Sequence, residues 1–373
     1  MVATTVSLRI AMIGTRGAPA RYGGFESAVE EIGARLADRG HDVVVYCRNE
    51  GQTLTEHRGM RLVNLPAVRE RHVETLSHAA LSTVHAIVRA RPDVAFMFNA
   101  ANAPYLRPLR LAGIPVAVNL DGFESLRAKW SGAGASYFRW AERMSVRQAS
   151  AVIADSTVMR DHVLQAFGRE AEYIAYGAEV IHPGVERLAT LDLAPDAYHL
   201  VVARFEPENQ VREIVAGFVR SAAVMPLAVV GSAPYAQEYS DSVRRAAEGD
   251  ARVRLVGAVW DQLLLDELYG GARSYVHGHT VGGTNPSLLR AMGAGAPVVA
   301  HDNPFNREVA GPSATFFADS AALGDLLLAD EADPAAARLR GEAGRRWVAE
   351  HYRWDDVAAD YERLAIGLTA RGA

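Results

Sequence analysis

The feature that most limits what this chain can fold into is a sustained alternation. Short apolar runs give way to stretches with apolar residues every three or four positions, from one end of the 373 residues to the other. In the first half the runs Arg9–Ile13, Asp42–Cys47, Arg61–Leu65, Val94–Asn99, Val116–Leu120, Ala151–Ala154 and Tyr173–Tyr176 read as strands. In the second half His199–Ala203, Leu227–Val230, Val253–Val256, Ser274–Val276, Pro297–Ala300 and Ala314–Phe317 repeat the pattern. Continuous apolar strands joined by helices belong to parallel sheets covered on both faces. Gly177–Ala197, with Pro183, Gly184 and Pro195, interrupts the alternation and reads as a linker. The expected architecture is α/β: two doubly wound, Rossmann-like domains facing each other, residues 1–182 and 183–353. The helical tail Trp347–Leu368 should cross back, adding a helix over 354–371 to the first domain.

Two places in this pattern are built to receive an anion. "GTRGAPARYGGFES", residues 14–27, ends the first strand and opens a helix whose apolar face is Phe25, Val29, Ile32 and Leu36. Beyond the carboxyl end of a parallel strand, free backbone N–H groups and the helix dipole favour negative charge, and glycine lets the backbone approach closely. The glycines fall at 14, 17, 23 and 24, which is not the G-x-G-x-x-G of a dinucleotide site. "HGHTVGGTNPSLLRAM", residues 277–292, repeats the device, with Thr284 or Asn285 as cap and Pro286 in the first helical turn. A diphosphate-linked ligand is the simplest occupant of two such mouths.

Charge and cysteine content narrow the class. A formal charge of −5 argues against a general nucleic-acid binder. The single cysteine, Cys47, rules out an internal disulfide and fits a reducing compartment. No apolar run approaches the roughly 20 residues that span a bilayer, and the polar start does not read as a signal peptide, so a cytoplasmic location is expected. Among 39 basic residues only Lys129 is a lysine, so a cation holding phosphate here is an arginine.

Taken with "NAANAPYLRPLRLAGIPVAVNLDGFESLRAKWSG", "ADS" at 154–156, "AYGAE" at 175–179, "VVARFEPENQV" and "VVAHDNPFNREV", these segments resemble, in order and over nearly the whole chain, the retaining glycosyltransferases of family 4. The branch most similar contains bacterial rhamnosyltransferases. The resemblance implies a GT-B fold, a nucleotide-sugar donor held mainly by the C-terminal domain, an acceptor held mainly by the N-terminal domain, no catalytic metal and no other cofactor. By position it implies that Gly23 and Gly24 face the donor phosphates with Arg16 or Arg21 assisting, that Arg204 binds the diphosphate, and that Glu308, with Asn306 and Arg307, lies against the donor sugar. Gly231, Gly257, His279, Gly283, Thr284, Asn285, Pro286 and Ser287 complete the donor side. Asp121, Arg204 and Glu308 are the expected catalytic residues. Tyr22, Asn99, Asn102, Asp121, Glu124, Lys129 and Asp155 are the expected acceptor contacts.

Departures from that pattern carry information. Asn209 stands where many members have a lysine, Gly282 and Arg290 replace two glutamates spaced eight apart, and Ser125 replaces a tryptophan common in the branch. An arginine cannot accept a hydrogen bond from a ribose hydroxyl, so at Arg290 donor recognition must differ: either the side chain meets an extra anion or it turns outward. His277 and His279 lack a third ligand at local spacing and fit a loop or donor role better than a metal site. Asp155-Ser156 reads equally as a helix cap and as an acceptor contact.

Residues 127–147 interleave Arg127, Lys129, Arg139, Arg143 and Arg147 with Trp130, Tyr137, Phe138 and Trp140. They read as an ordinary solvated helix, with a membrane-surface contact as the second reading. The favoured function is an enzyme transferring a sugar to a glycan, a lipid-linked sugar or a secondary metabolite of the antibiotic kind. A non-catalytic nucleotide-sugar binder and a nucleotide-sugar epimerase are the alternatives, and oligomeric state is not legible.

Overall fold

The computed structural model describes residues 6–20, 23–48, 51, 53–70, 73–120, 122, 132–232 and 237–371. The chain divides into two compact units. The second is Ala178–Arg353, and the first holds the strands before it together with the C-terminal helix from Trp354 onward. The division falls after Gly177 instead of after residue 182. Backbone bonds explain the shift: Ala178 N donates to Tyr352 O at 2.7 Å and Ile181 N to Gly293 O at 3.1 Å, tying this segment to the second unit.

The first unit is built on β1 (Arg9–Ile13), β2 (Asp42–Arg48), β3 (Glu56–His57), β4 (Met60–Leu65), β5 (Val94–Phe98), β6 (Val116–Asn119), β7 (Ala151–Ala154) and β8 (Glu172–Tyr173). They form one sheet in the order β3-β4-β2-β1-β5-β6-β7-β8, parallel except for the β3–β4 pair. β3 is too short to leave a periodic trace in sequence. β8 is an exposed two-residue edge and not the run Tyr173–Tyr176.

The helices of this unit are α1 (Gly24–Asp38), α2 (Glu74–His85), α3 (Leu106–Leu111), α4 (Gly132–Gln148) and α5 (Thr157–Phe167). On α1 the buried stripe is Val29, Ile32 and Leu36, Glu31 pairs with Arg35 one turn on, and Gly40 follows the helix at φ +92°.

The second unit carries β9 (His199–Val202), β10 (Leu227–Val230), β11 (Val253–Gly257), β12 (Ser274–His277), β13 (Val298–His301) and β14 (Ala314–Phe317). Its sheet is parallel, in the order β11-β10-β9-β12-β13-β14. The helices are α6 (Val211–Arg220), α7 (Gln237–Ala247), α8 (Gln262–Gly270), α9 (Pro286–Gly293), α10 (Pro304–Ala310), α11 (Ser320–Ala332) and α12 (Pro334–His351). The α6 stripe Val211, Ile214, Val215 and Phe218 packs into one core with Val201, Val229, Val276, Leu323 and Leu327. A side chain such as Phe218, fully removed from water, contributes about 1.5–3 kcal/mol.

The tail is not one helix. The chain leaves helical geometry at Tyr352 (φ −130°, ψ 42°), and α13 (Trp354–Ala370) begins anew as part of the first unit. There Tyr361 is buried, its ring 4.8 Å from that of Phe96, and its hydroxyl accepts from Asn119 Nδ2 at 3.0 Å. Arg35 Nε donates to Asp355 at 2.9 Å and Arg39 Nη1 to Glu362 at 2.8 Å.

Candidate functional site

In the second sheet β9 lies between β10 and β12, so the strand order reverses beside β9. In an open α/β sheet this is where the carboxyl edge opens to receive a ligand. The loop after β9 carries Arg204, whose side chain is 56% exposed and stands 3.5 Å from Glu206. The loop after β12 runs from His277 to the start of α9. There Asn285 Oδ1 accepts from Ser287 N at 3.0 Å and Pro286 occupies the first turn, an N-cap worth about 1 kcal/mol.

Polar bonds lock neighbouring loops together. Thr280 N and Oγ1 donate to Glu208 O at 2.9 and 3.1 Å, joining the loops after β12 and β9. Asn303 and Asn306 Nδ2 both donate to His279 O, at 2.8 and 2.9 Å, adding the loop after β13. Gly231 (φ +143°) and Gly257 (φ +84°) end β10 and β11, with Gly231 N donating to Gly257 O at 2.8 Å. A Cβ at Gly231 would strike the Ala203 carbonyl, so the backbones of the β9 and β10 loops touch. Asn209 is 3% exposed and gives its Nδ2 to Arg204 O at 2.8 Å, so it braces the arginine's loop from inside. Glu308 is half-buried on α10, and Gly283 and Thr284 lie in the loop leading to α9.

A directional hydrogen-bond chain runs inward from the start of α9. Asn285 Oδ1 accepts from Ser287 Oγ at 2.8 Å, and Tyr275 Oη donates to Ser287 Oγ at 3.1 Å. With the tyrosine proton so used, His277 Nδ1, 3.1 Å from Tyr275 Oη, must carry a hydrogen and donate. Burial keeps the ring neutral, so with the proton on Nδ1 the Nε2 atom carries a lone pair. That nitrogen is buried and has no partner among the described residues. Burial, with a smaller effect from His301, pushes the His277 imidazole down to about 3, and His279 stacks on it at 4.2 Å. Glu208 is also buried, and neither carboxylate oxygen has a partner among the described residues.

Arg290 neither points to open solvent nor waits for an added anion. Its Nε and Nη2 lie 2.7 Å from Asp266 Oδ1 on α8. With the Gln262 amide turned to satisfy its surroundings, that oxygen accepts from Arg290 Nη1 at 2.7 Å and Nη2 at 2.5 Å.

In the first unit the glycine loop sits where expected, after central β1, with Gly14 at φ +108° and Gly17 at φ +100°. Many of its amides are already engaged. Arg16 N donates to Glu26 Oε1 at 3.1 Å, Gly17 N to Thr15 Oγ1 at 3.1 Å and Ala20 N to Glu30 Oε2. Gly23 caps α1 without a side-chain bond, and Gly24 is the first helical residue. The Arg16 guanidinium is one-third exposed and 4.0 Å from Glu74.

Asn102 and Asp155, read as acceptor contacts, lie inside the unit at 0% and 1% exposure. Asn102 Nδ2 bonds Phe98 O, and Ser156 caps α5 through Met159 N. Asn99, at φ +73°, accepts from Ala101 N and caps the turn that follows. Tyr22, Asp121, Glu124 and Lys129 lie outside the described residues, as do Arg21 and Ser125.

Glu26, Glu30, Tyr275, Asp266 and Gln262 carry no local signal of these roles, because their partners lie on other turns, loops or helices. Asn303, immediately before Pro304, was a readable cap.

Residues 23–177 match the family model described as a glycosyl transferase 4-like domain, and residues 197–335 the one for glycosyl transferases group 1. Alpha-maltose-1-phosphate synthase of Mycolicibacterium smegmatis is 26% identical over 383 residues, spanning 94% of this chain and 97% of its own. The solved structure of sucrose-phosphate synthase from Thermosynechococcus elongatus superposes with a TM-score of 0.82 at 21% identity, covering 97% of this chain and 99% of that one. Anabaena HepE in complex with UDP and glucose gives 0.76 at 17% identity, covering 97% of this chain and all (100%) of the other.

Proposed function

We propose that the chain is a GT-B glycosyltransferase that uses a nucleotide sugar, with retention at the anomeric carbon, without a catalytic metal, toward a hydroxyl-bearing acceptor; the two matched glycosyl transferase models and the synthase relatives support transfer, and the UDP-bound HepE structures support the donor class. One observation carries this reading. An exposed arginine, Arg204, and the capped start of α9 follow two adjacent strands, β9 and β12, at the reversal of strand order, so cation and helix dipole share one edge.

As the glycosidic bond breaks, negative charge grows on the departing diphosphate. The N-terminal amides of α9 and the Arg204 guanidinium then bind it most strongly, which lowers the barrier. The leaving phosphate oxygen takes the acceptor's proton on the face it vacates, giving retention. Glu308, half-buried on α10, holds the donor sugar, and Asn306, buried and bonded to the His279 and His301 carbonyls, fixes the loops around it. His277, bonded through Nδ1 to the Tyr275 hydroxyl, and Asn285 keep the α9 mouth in shape. The first unit takes the acceptor, with Asn99 and Asp121 the proposed contacts. The likeness to maltose-1-phosphate and glycogen synthases favours transfer over passive binding or epimerisation.

UDP-glucose, the ligand in one HepE structure, is the first donor to test, against a nucleotide-activated rhamnose suggested by the sequence resemblance. Release of nucleoside diphosphate with a panel of sugar, lipid-linked and small-molecule acceptors, in EDTA, should be followed by NMR of the product linkage. An inverted linkage rejects retention, and loss of turnover in EDTA rejects metal independence.

A further inference from the structure

On the first unit α3, α4 and the turn before α3 enclose two adjoining hollows of about 320 and 340 Å³. The first is walled mainly by apolar side chains, with Leu111 77% exposed and Trp140 46%, and the second shares Leu111 but is otherwise lined by Arg107, Arg110, Arg147 and Gln148. Their rim is cationic. Arg107 and Arg110 are exposed on α3, and Arg139, Arg143 and Arg147 share the exposed face of α4 with Trp140. The only acid between residues 132 and 148, Glu142, is turned inward and 4% exposed.

The rim arginines have little to hold. Arg110 donates to Gln148 O at 2.8 Å and Arg139 to Ser136 Oγ at 3.0 Å, both neutral acceptors. Arg107, Arg143 and Arg147 make no ion pair among the described residues. Five positive charges thus gather on one face of a chain whose net charge is −5, against the balance of the rest.

An aqueous polyanion would satisfy the arginines and leave the leucine and the indole wet. An anionic bilayer surface satisfies both, because guanidinium groups pair with lipid phosphates while apolar side chains enter the headgroup boundary. No helix among the described residues is long and apolar enough to cross a membrane, so such an association is peripheral. We propose that the α3–α4 face, with Arg107, Arg143 and Arg147 around Leu111 and Trp140, docks on an anionic lipid bilayer.

Flotation with vesicles of phosphatidylcholine and phosphatidylglycerol in equal parts, against pure phosphatidylcholine, tests this in the whole chain. Wild type should float with the anionic vesicles at low salt, fall away at 0.5 M salt, and ignore the neutral ones. A basic residue near such a surface is worth about fivefold in partitioning, so Arg107→Glu/Arg143→Glu should lower association more than tenfold. Arg346→Glu, exposed on the second unit, should leave it unchanged. Leu111→Ser should weaken binding several-fold while keeping its salt dependence, a result that pure charge attraction does not give. Failure of the wild type to float, equal flotation of the double variant, or retention on heparin without flotation each overturns the proposal. Matching thermal melts would show that the variants are folded.

Discussion

Arg290 on α9 and Asp266 on α8 form an ion pair at 2.7 Å, with the arginine one-third exposed and the aspartate mostly covered. A carboxylate at position 290 would therefore face another carboxylate. Arg290→Glu should lower stability by about 1–2 kcal/mol in urea unfolding, discounted for its exposure. Arg290→Glu/Asp266→Arg should restore most of the loss. No recovery in the exchanged pair would mean that the two side chains do not act together.

Among the described residues the Arg204 side chain makes one long contact, to Glu206, and it is more than half exposed, so its removal should leave the fold intact. Arg204→Ala should weaken UDP binding by about 2 kcal/mol, some thirtyfold in Kd, with an unchanged melting temperature. Calorimetric titration with UDP reads the first quantity. An unaltered Kd would remove the arginine from the diphosphate site.

Buried histidines set a pH dependence, His277, His78 and His199 among them. Burial holds His277 down to about 3 and His78 to about 4, from an ordinary 6.5. In the unfolded chain both take up protons as pH falls through 6.5, whereas the folded chain refuses them. Stability is therefore complete above pH 7 and declines from about 6.5 downward, each histidine adding a slope of about 1.4 kcal/mol per pH unit until its folded value is reached. Between pH 6.5 and 4.5 the ordinary carboxylates have not yet titrated. His277→Gln should flatten the dependence of the urea midpoint over that window, and an unchanged slope would show that His277 is not its source.

Cys47, the sole cysteine, is buried, and burial pushes its thiol up to about 11 although a bond to Ala18 O opposes the shift. A neutral, enclosed thiol is a poor nucleophile. Native protein at pH 8 should react with a disulfide reagent far more slowly than the same protein in urea. Comparable rates would mean that the glycine loop covering Cys47, bonded through the Ala18 carbonyl, opens readily.

The apolar strands and the α9 cap were legible because burial has a period and capping is local: Val29, Ile32 and Leu36 announce their helix, and Asn285-Pro286 announces its own. Side chains that meet across the fold leave no such trace. Nothing local in Glu26 or Glu30 says that they take the glycine loop's amides. Asp266 lies in a different helix from Arg290, and only the folded chain joins them. Asn102 and Asp155 had the right chemistry for ligand contact, yet both are buried, Asn102 against the Phe98 carbonyl. The helix expected over 354–371 is α13, in the first unit as expected, but the break before it has no periodic trace. The tail's helical periodicity continues across residues 352 and 353, while the backbone turns at Tyr352 to let α13 join other strands.

That last helix has a temporal meaning. Tyr361 seals the strands of the first unit near Phe96 and Asn119, yet the ribosome makes it only after all of Ala178–Arg353 has been synthesised. The nascent first unit leaves the ribosome with its Tyr361 seat unfilled, while Ala178–Arg353, continuous in the chain, emerges whole. Birth order along the polypeptide and order of completion are thus reversed.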